Sequence, residues 1–190
     1  MNKTTAIISS LIFLLSFPFA GRGEEDPVPV QLSLVPGVQL FESTRSVSGI
    51  RLGLVGMNRD LSGLDAGIIA WTKWDKQGVS LALVDVVEGS CAGAGLAAAN
   101  VDLGGFSGFG CAVLNLTCGP TDGVQVGTLN IASDSISGFQ AGLVNYAGTL
   151  RGLQVGLINA AGELCGVQVG FLNVASNAVV PVLPVINAAF

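Results

Sequence analysis

Apolar residues alternate with polar or small ones along most of this chain, in a frame that restarts every 14 or 15 residues. The frame is marked by Gly49, Gly63, Gly78, Gly93, Gly108, Gly123, Gly138, Gly152 and Gly166. Four late copies read Gly-x-Gln-x-Gly-x-x-Asn, at 123–130, 138–145, 152–159 and 166–173. Counted from the leading glycine as zero, positions +1, +3 and +5 are apolar in nearly every copy, as in Leu153, Val155 and Leu157. Position +2 is mostly polar or Gly, and +4 is Gly or Ala. Alternation of period two predicts a strand with one buried face. The adjacent apolar pair at +5 and +6, as in Leu157 and Ile158, shifts the phase and predicts a bend. The expectation is that both arms turn their apolar residues inward, with +1, +3, +5, +6 and +8 forming the core and the mostly apolar −2 position, as in Leu150, extending the inward set.

A period this short leaves no room for a pair of helices, and the abundance of Gly and β-branched residues disfavours helix. Two architectures fit: parallel coils stacked as a solenoid, or an antiparallel arrangement with one strand per copy. Asn100, Asn115, Asn130, Asn145, Asn159 and Asn173 share one repeat position, as does Asn187 in a partial last copy. Parallel coils stack equal positions at about 4.8 Å, so these amides can bond to one another in a ladder. The reading is an all-β single repeat domain, a β-solenoid of about ten 14–15-residue coils. The alternative is an antiparallel β-meander or an outer-membrane β-barrel. Against the barrel, the alternation lasts only about six residues where a spanning strand needs about 9–11. One Tyr and two Trp cannot form two aromatic girdles.

The ends differ from the middle. Residues 24–48 are assigned to a linker and capping strand, 49–179 to the repeat domain and 180–190 to a C-terminal cap, where Pro181 and Pro184 oppose further strand addition. Residues 1–23 read as a secretory signal peptide: Lys3, an apolar run over 6–20, then Gly21 and Gly23 ahead of an acidic stretch. The expected location is therefore exported: periplasm, outer membrane or cell surface.

Composition narrows the chemistry. Only 11% of the 190 residues are charged, the net charge is −5 and histidine is absent. Nucleic acid is not an expected partner, because phosphate neutralisation requires clustered Lys and Arg. The commonest general base and metal ligand are missing. No catalytic residue, metal or cofactor is assigned, and the chain is not read as an enzyme. Asp85 and Glu88 lie close in sequence, but Asp85 takes the asparagine position of its copy. Residues 71–76, Trp-Thr-Lys-Trp-Asp-Lys, read as a loop closing one edge. Of Cys91, Cys111, Cys118 and Cys165, only Cys111 and Cys118 fall within one coil, so one disulfide at most is expected between them.

The Gly-x-Gln-x-Gly-x-x-Asn copies, the opening Val-Gln-Leu-Ser-Leu-Val-Pro-Gly-Val-Gln-Leu-Phe at 30–41 and the ending Pro-Val-Leu-Pro-Val-Ile-Asn-Ala-Ala-Phe at 181–190 resemble the bacterial surface-repeat proteins known from Leptospira and other bacteria. The resemblance covers about 28–190 and implies an exported cell-envelope protein; the lipid-bearing cysteine of many members is not found here. With the apolar positions inside, Gln125, Gly127, Gln140, Gly142, Gln154, Gly156, Gln168 and Gly170 would form a flat outward strip. That strip is the expected interaction face, for self-association or for docking to an envelope component, with membrane association as a further expectation.

Overall fold

The computed structural model of the chain describes residues 26–190. The leader expected over 1–23 lies outside the described residues. The elements are β1 (Val28–Val35), β2 (Val38–Gln39), β3 (Val47–Asn58), β4 (Leu61–Thr72), β5 (Lys76–Val87), β6 (Cys91–Asp102), β7 (Phe106–Thr117), β8 (Thr121–Ala175) and β9 (Val182–Ala189). No helix occurs among the described residues, and so none long and apolar enough to cross a membrane. The strands form one nine-stranded sheet in the order β2-β1-β3-β4-β5-β6-β7-β8-β9.

From β1 through β8 the neighbours run parallel. Equal repeat positions face each other: Gly63 pairs with Gly78, Gly78 with Gly93, and Asn100 with Asn115. Each coil is a 12-residue strand, bent near +5 and +6 and returned by a short turn. The molecule is thus a β-solenoid, and parallel pairing rules out the antiparallel meander and barrel. Seven strands stack in parallel against about ten expected coils, and the difference lies in β8, which runs as one strand of 55 residues through the copies led by Gly123, Gly138, Gly152 and Gly166.

Except at −2, which is inside as expected, the inside of the coil is the reverse of the expectation. The buried positions are −2, +2, +7 and +9: Leu150, Gln154, Asn159 and Ala161 are at most 4% exposed. The positions expected to form the core face outward, and Leu157 in the same coil is 57% exposed. Alternation distinguishes two faces without saying which is inside. Crowding at the bend decides it. A Cβ placed on Gly142, Gly156 or Gly170, all at +4, would run into the preceding coil's backbone and the side-chain amides of the asparagines. The arms are close enough there for an asparagine amide to span them, as from Asn145 to the Val155 carbonyl at 3.0 Å, whereas apolar side chains of two facing sheets require about 10 Å. Glycine and planar amides fill that gap; paired Leu and Val cannot. Only the wider end of the lumen is apolar, where Ile136, Leu150 and Leu164 at −2 pack on Ala132, Ala147, Ala161 and Ala175 at +9.

The leading glycines are a backbone requirement. Gly152 has φ of 140°, and a Cβ there would collide with the carbonyl oxygen of Gly138 one coil earlier. The same contact recurs along the whole column of leading glycines from Gly63 to Gly166. The ends close differently. At the N-terminal end Gln31 sits in the lumen and both donates to the Phe41 carbonyl and accepts from the Phe41 N–H. At the C-terminal end β9 turns back antiparallel against β8, placing Asn187 opposite Gln168. Asn187 and Pro184 are therefore outside the solenoid frame, a correction to the partial-copy reading.

Candidate functional site

Three features follow from this inverted cross-section: amide ladders, a buried charge cluster and an apolar exterior. In the asparagine ladder, Asn100 Nδ2 donates to Asn115 Oδ1, and the pattern repeats through Asn130, Asn145, Asn159 and Asn173 at 2.8–2.9 Å. The second amide proton crosses the lumen to a +3 carbonyl of the next coil, as from Asn145 to Val155. The glutamines form a second ladder, with Gln140 donating to Gln125, Gln154 to Gln140 and Gln168 to Gln154 at 2.7–2.8 Å. Each also reaches a +8 carbonyl of its own coil, such as that of Tyr146 or Val174. Both arms are thereby stitched together through their side chains.

This placement removes the expected interaction strip. Gln125, Gln140, Gln154 and Gln168 are at most 1% exposed, and Gly127, Gly142, Gly156 and Gly170 abut luminal amides. Interior positions, not a surface, explain why those residues repeat. The expected Cys111–Cys118 bridge is not formed either: all four cysteines are free thiols. Cys111 takes the outward +3 position, in register with Leu96 and Val126, whereas Cys118 begins the turn, where its N–H bonds the Asp102 carbonyl.

Toward the N-terminal end, charges replace amides at the same interior positions. Arg51 at +2 donates through Nε and Nη2 to both oxygens of Asp65 at 2.9 and 2.6 Å. Its Nη1 reaches the Trp71 carbonyl. Lys76 Nζ donates to Asp65 at 2.9 Å and to both oxygens of Asp85 at 2.7 and 2.8 Å. All four side chains are buried. Burial alone would raise Asp65, but the bonds and charge of Arg51, then those of Lys76, hold it below its ordinary value. Asp102 lacks such a partner. Burial, then the Asp85 charge, pushes it up to about 7, and its hydrogen bond with the Cys91 thiol only partly offsets this. Burial and then Asp102 raise the Cys91 thiol in turn. Sequence reasoning missed this cluster, although its signal was present: Arg51, Asp65, Lys76, Asp85 and Asp102 all occupy −2, +2, +7 or +9.

The exterior is amphipathic lengthwise. The +5 residues form an exposed ridge at the bend, including Leu54, Leu83, Val113, Leu143, Leu157 and Phe171, the last 81% exposed. Beside it run the +1 and +3 residues of one arm, such as Leu64, Val79, Leu81 and Leu96, and the +6 and +8 residues of the other, such as Ile158 and Tyr146. From Ser48 onward, every charged side chain outside the lumen lies between +10 and −1, on the turn edge opposite the ridge. There Arg59 pairs with Asp60 at 3.0 Å and Trp71 Nε1 donates to Glu88 at 2.7 Å. The segment 71–76, expected to be a loop, is divided: Trp71 and Thr72 end β4, the buried Lys76 starts β5, and Lys73, Trp74 and Asp75 make the turn.

Large apolar side chains are thus exposed along the ridge side from one end of the repeat region to the other, a distribution that soluble monomers rarely carry. Near the N-terminal cap the same side widens into a groove of about 540 Å³, lined by residues that include Leu32, Leu34, Val38, Leu40, Leu52 and Leu54. No protein-family model, no curated protein and no solved structure matches the chain.

Proposed function

We propose that this chain is an exported structural and interaction protein of the cell envelope, with no catalytic activity, which attaches lengthwise to an apolar envelope component through the ridge side of its solenoid. The observation that carries this reading is the +5 ridge from Leu54 to Phe171, apolar in eight of nine copies and broken only at Thr128, with every exterior charge of the repeat region on the opposite edge. A large contiguous apolar surface rimmed by polar residues is the physical mark of an attachment site. The leader-like segment over 1–23 and the resemblance to bacterial surface-repeat proteins agree with export. The buried acids and bases bond to one another inside the stack rather than opening on a cleft, which favours a structural role for them.

Fractionation of bacterial cells producing the full chain tests this. The protein is expected in the envelope pellet, shortened at its N-terminus. A Leu83→Glu, Leu143→Glu, Leu157→Glu variant is expected to move to the soluble exported fraction. Recovery of the unaltered protein from the cytosol, or a variant that stays in the pellet, would overturn the reading.

A further inference from the structure

Resting on that reading, we propose that the surface taken by the ridge is the acyl layer of a lipid leaflet, into which the solenoid sinks edge-on along its length without crossing the bilayer. The shape of the apolar cover selects this occupant. It wraps three sides of the coil: the +1 and +3 residues of one arm, the +5 ridge, and the +6 and +8 residues of the other apart from the buried Met57 and Trp71. A flat protein partner could cover one arm. A second copy meeting ridge to ridge would touch along a line and leave both arms in water. A fluid apolar phase covers all three sides at once.

Three further observations fit. From +5 back to +1 the arm is four residues, about 13 Å at strand rise, which a single leaflet of about 15 Å accommodates. The backbone of the immersed arms is bonded coil to coil through the parallel ladder, which skips the +5 residue of each bend, so most N–H and C=O groups there already have partners before they meet hydrocarbon. The charged edge then lies at the water, where acids outnumber bases two to one from Ser48 onward. Attraction to anionic headgroups is not the driving force, and binding follows buried apolar area instead.

The test uses the full chain with phosphatidylcholine vesicles, comparing wild type with the Leu83→Glu, Leu143→Glu, Leu157→Glu variant, so that the contribution of residues 1–25 is the same in both. Vesicle-bound protein should fall at least about tenfold in the variant, with the β-sheet circular dichroism unchanged. Wild-type binding should be the same in dilute buffer and in molar salt, and no stronger with added phosphatidylglycerol. A Phe171→Trp variant should be quenched by lipids brominated on their acyl chains, whereas a Ser137→Trp variant on the turn edge should not. Equal binding by wild type and ridge variant, or an unquenched tryptophan at 171, would overturn lipid as the occupant. So would a wild type that ignores vesicles and forms a dimer which the ridge variant abolishes, and that result would leave the attachment reading standing. A wild-type protein that is monomeric and binds neither vesicles nor envelope would overturn both.

Discussion

Gln154 and Asn159, both fully buried in one coil, pass their side-chain hydrogen bonds along the stack in opposite directions. Gln154 donates to Gln140 in the preceding coil at 2.7 Å, and Asn159 donates to Asn173 in the following coil at 2.8 Å. Each ladder has a direction, so each has an end: Asn100 Oδ1 and Gln168 Oε1 accept from no partner. Between those ends the ladder amides are bonded along the axis, and all but Gln125, which donates to Thr117 Oγ1, also reach a carbonyl of the other arm. The coils are therefore joined by side chains as well as backbone, and the stack should melt as one unit.

Replacing Asn145 with Leu removes an acceptor from Asn130 and a donor from both Asn159 and the Val155 carbonyl. Buried groups left without partners cost about 1–3 kcal/mol each. The variant should lose on the order of 3 kcal/mol, read as a lower urea midpoint. Leu143→Ala, two residues away on the ridge, should leave the midpoint of the lipid-free protein within about 0.5 kcal/mol, as for other exposed positions. Equal effects of the two would contradict an amide-filled interior.

Gly152→Ala should prevent normal folding of the late coils, because the added methyl meets the Gly138 carbonyl and φ of 140° is strained for alanine. Gly37→Ala is the contrast. Its φ of 89° carries strain, but a Cβ there meets nothing within 4 Å. A loss of about 1 kcal/mol is expected at Gly37, against soluble expression failure or a loss of several at Gly152. Circular dichroism and urea unfolding distinguish them.

The strand frame, the bend at Leu157 and Ile158 and the parallel stacking could all be read from the chain, because period, phase break and the column of equal asparagines are linear signals. The direction of the faces could not be read from hydropathy. Apolar positions such as that of Val155 are usually buried because the exterior of a protein is usually polar, and that assumption fails for a coil whose exterior is apolar. The better signal was size: the +4 position holds only Gly or Ala in nine copies, from Gly53 to Gly170, which marks it as the crowded side. Had +4 been placed inside, Arg51, Asp65, Lys76 and Asp85 would have followed as a buried cluster. The expected Cys111–Cys118 bridge fails for the same reason, since the Cys111 position faces outward.

Stability should fall as pH rises from about 4 to about 7. Asp102 is held up to about 7 in the folded chain by burial and the Asp85 charge, against an ordinary value of 3.8. Between those values the folded state holds a proton that the unfolded state has lost, so raising the pH favours unfolding. The effect at full development is on the order of 2–4 kcal/mol. Asp65 and Asp60 act in the other sense: both are held low in the fold, and their contribution is lost as pH falls below about 4. Asp102→Asn should flatten the slope between pH 4 and 7 while leaving the acid limb. Urea midpoints measured across pH 3–8 check this, and an unaltered slope in the variant would show that Asp102 is not its source.

The charge cluster should be replaceable by the repeat's own consensus, but only if two residues change together. Lys76 holds both oxygens of Asp85 and one of Asp65, whereas Asp65 also keeps its two bonds from Arg51. Lys76→Leu alone supplies the side chain that Leu150 and Leu164 carry at −2, yet leaves Asp85 as a buried unpaired carboxylate. Removing one partner of such a pair costs about 3–5 kcal/mol. Adding Asp85→Asn removes that charge and places an amide beside Asn100, whose Oδ1 has no donor and whose backbone is already in register with residue 85. The asparagine ladder then gains one coil. The double variant should recover to within about 1 kcal/mol of wild type or exceed it, because a well-packed apolar replacement of a buried ion pair is often neutral or stabilising. Additive losses in a double-mutant cycle of urea midpoints would mean that Lys76 and Asp85 are not coupled through the lumen.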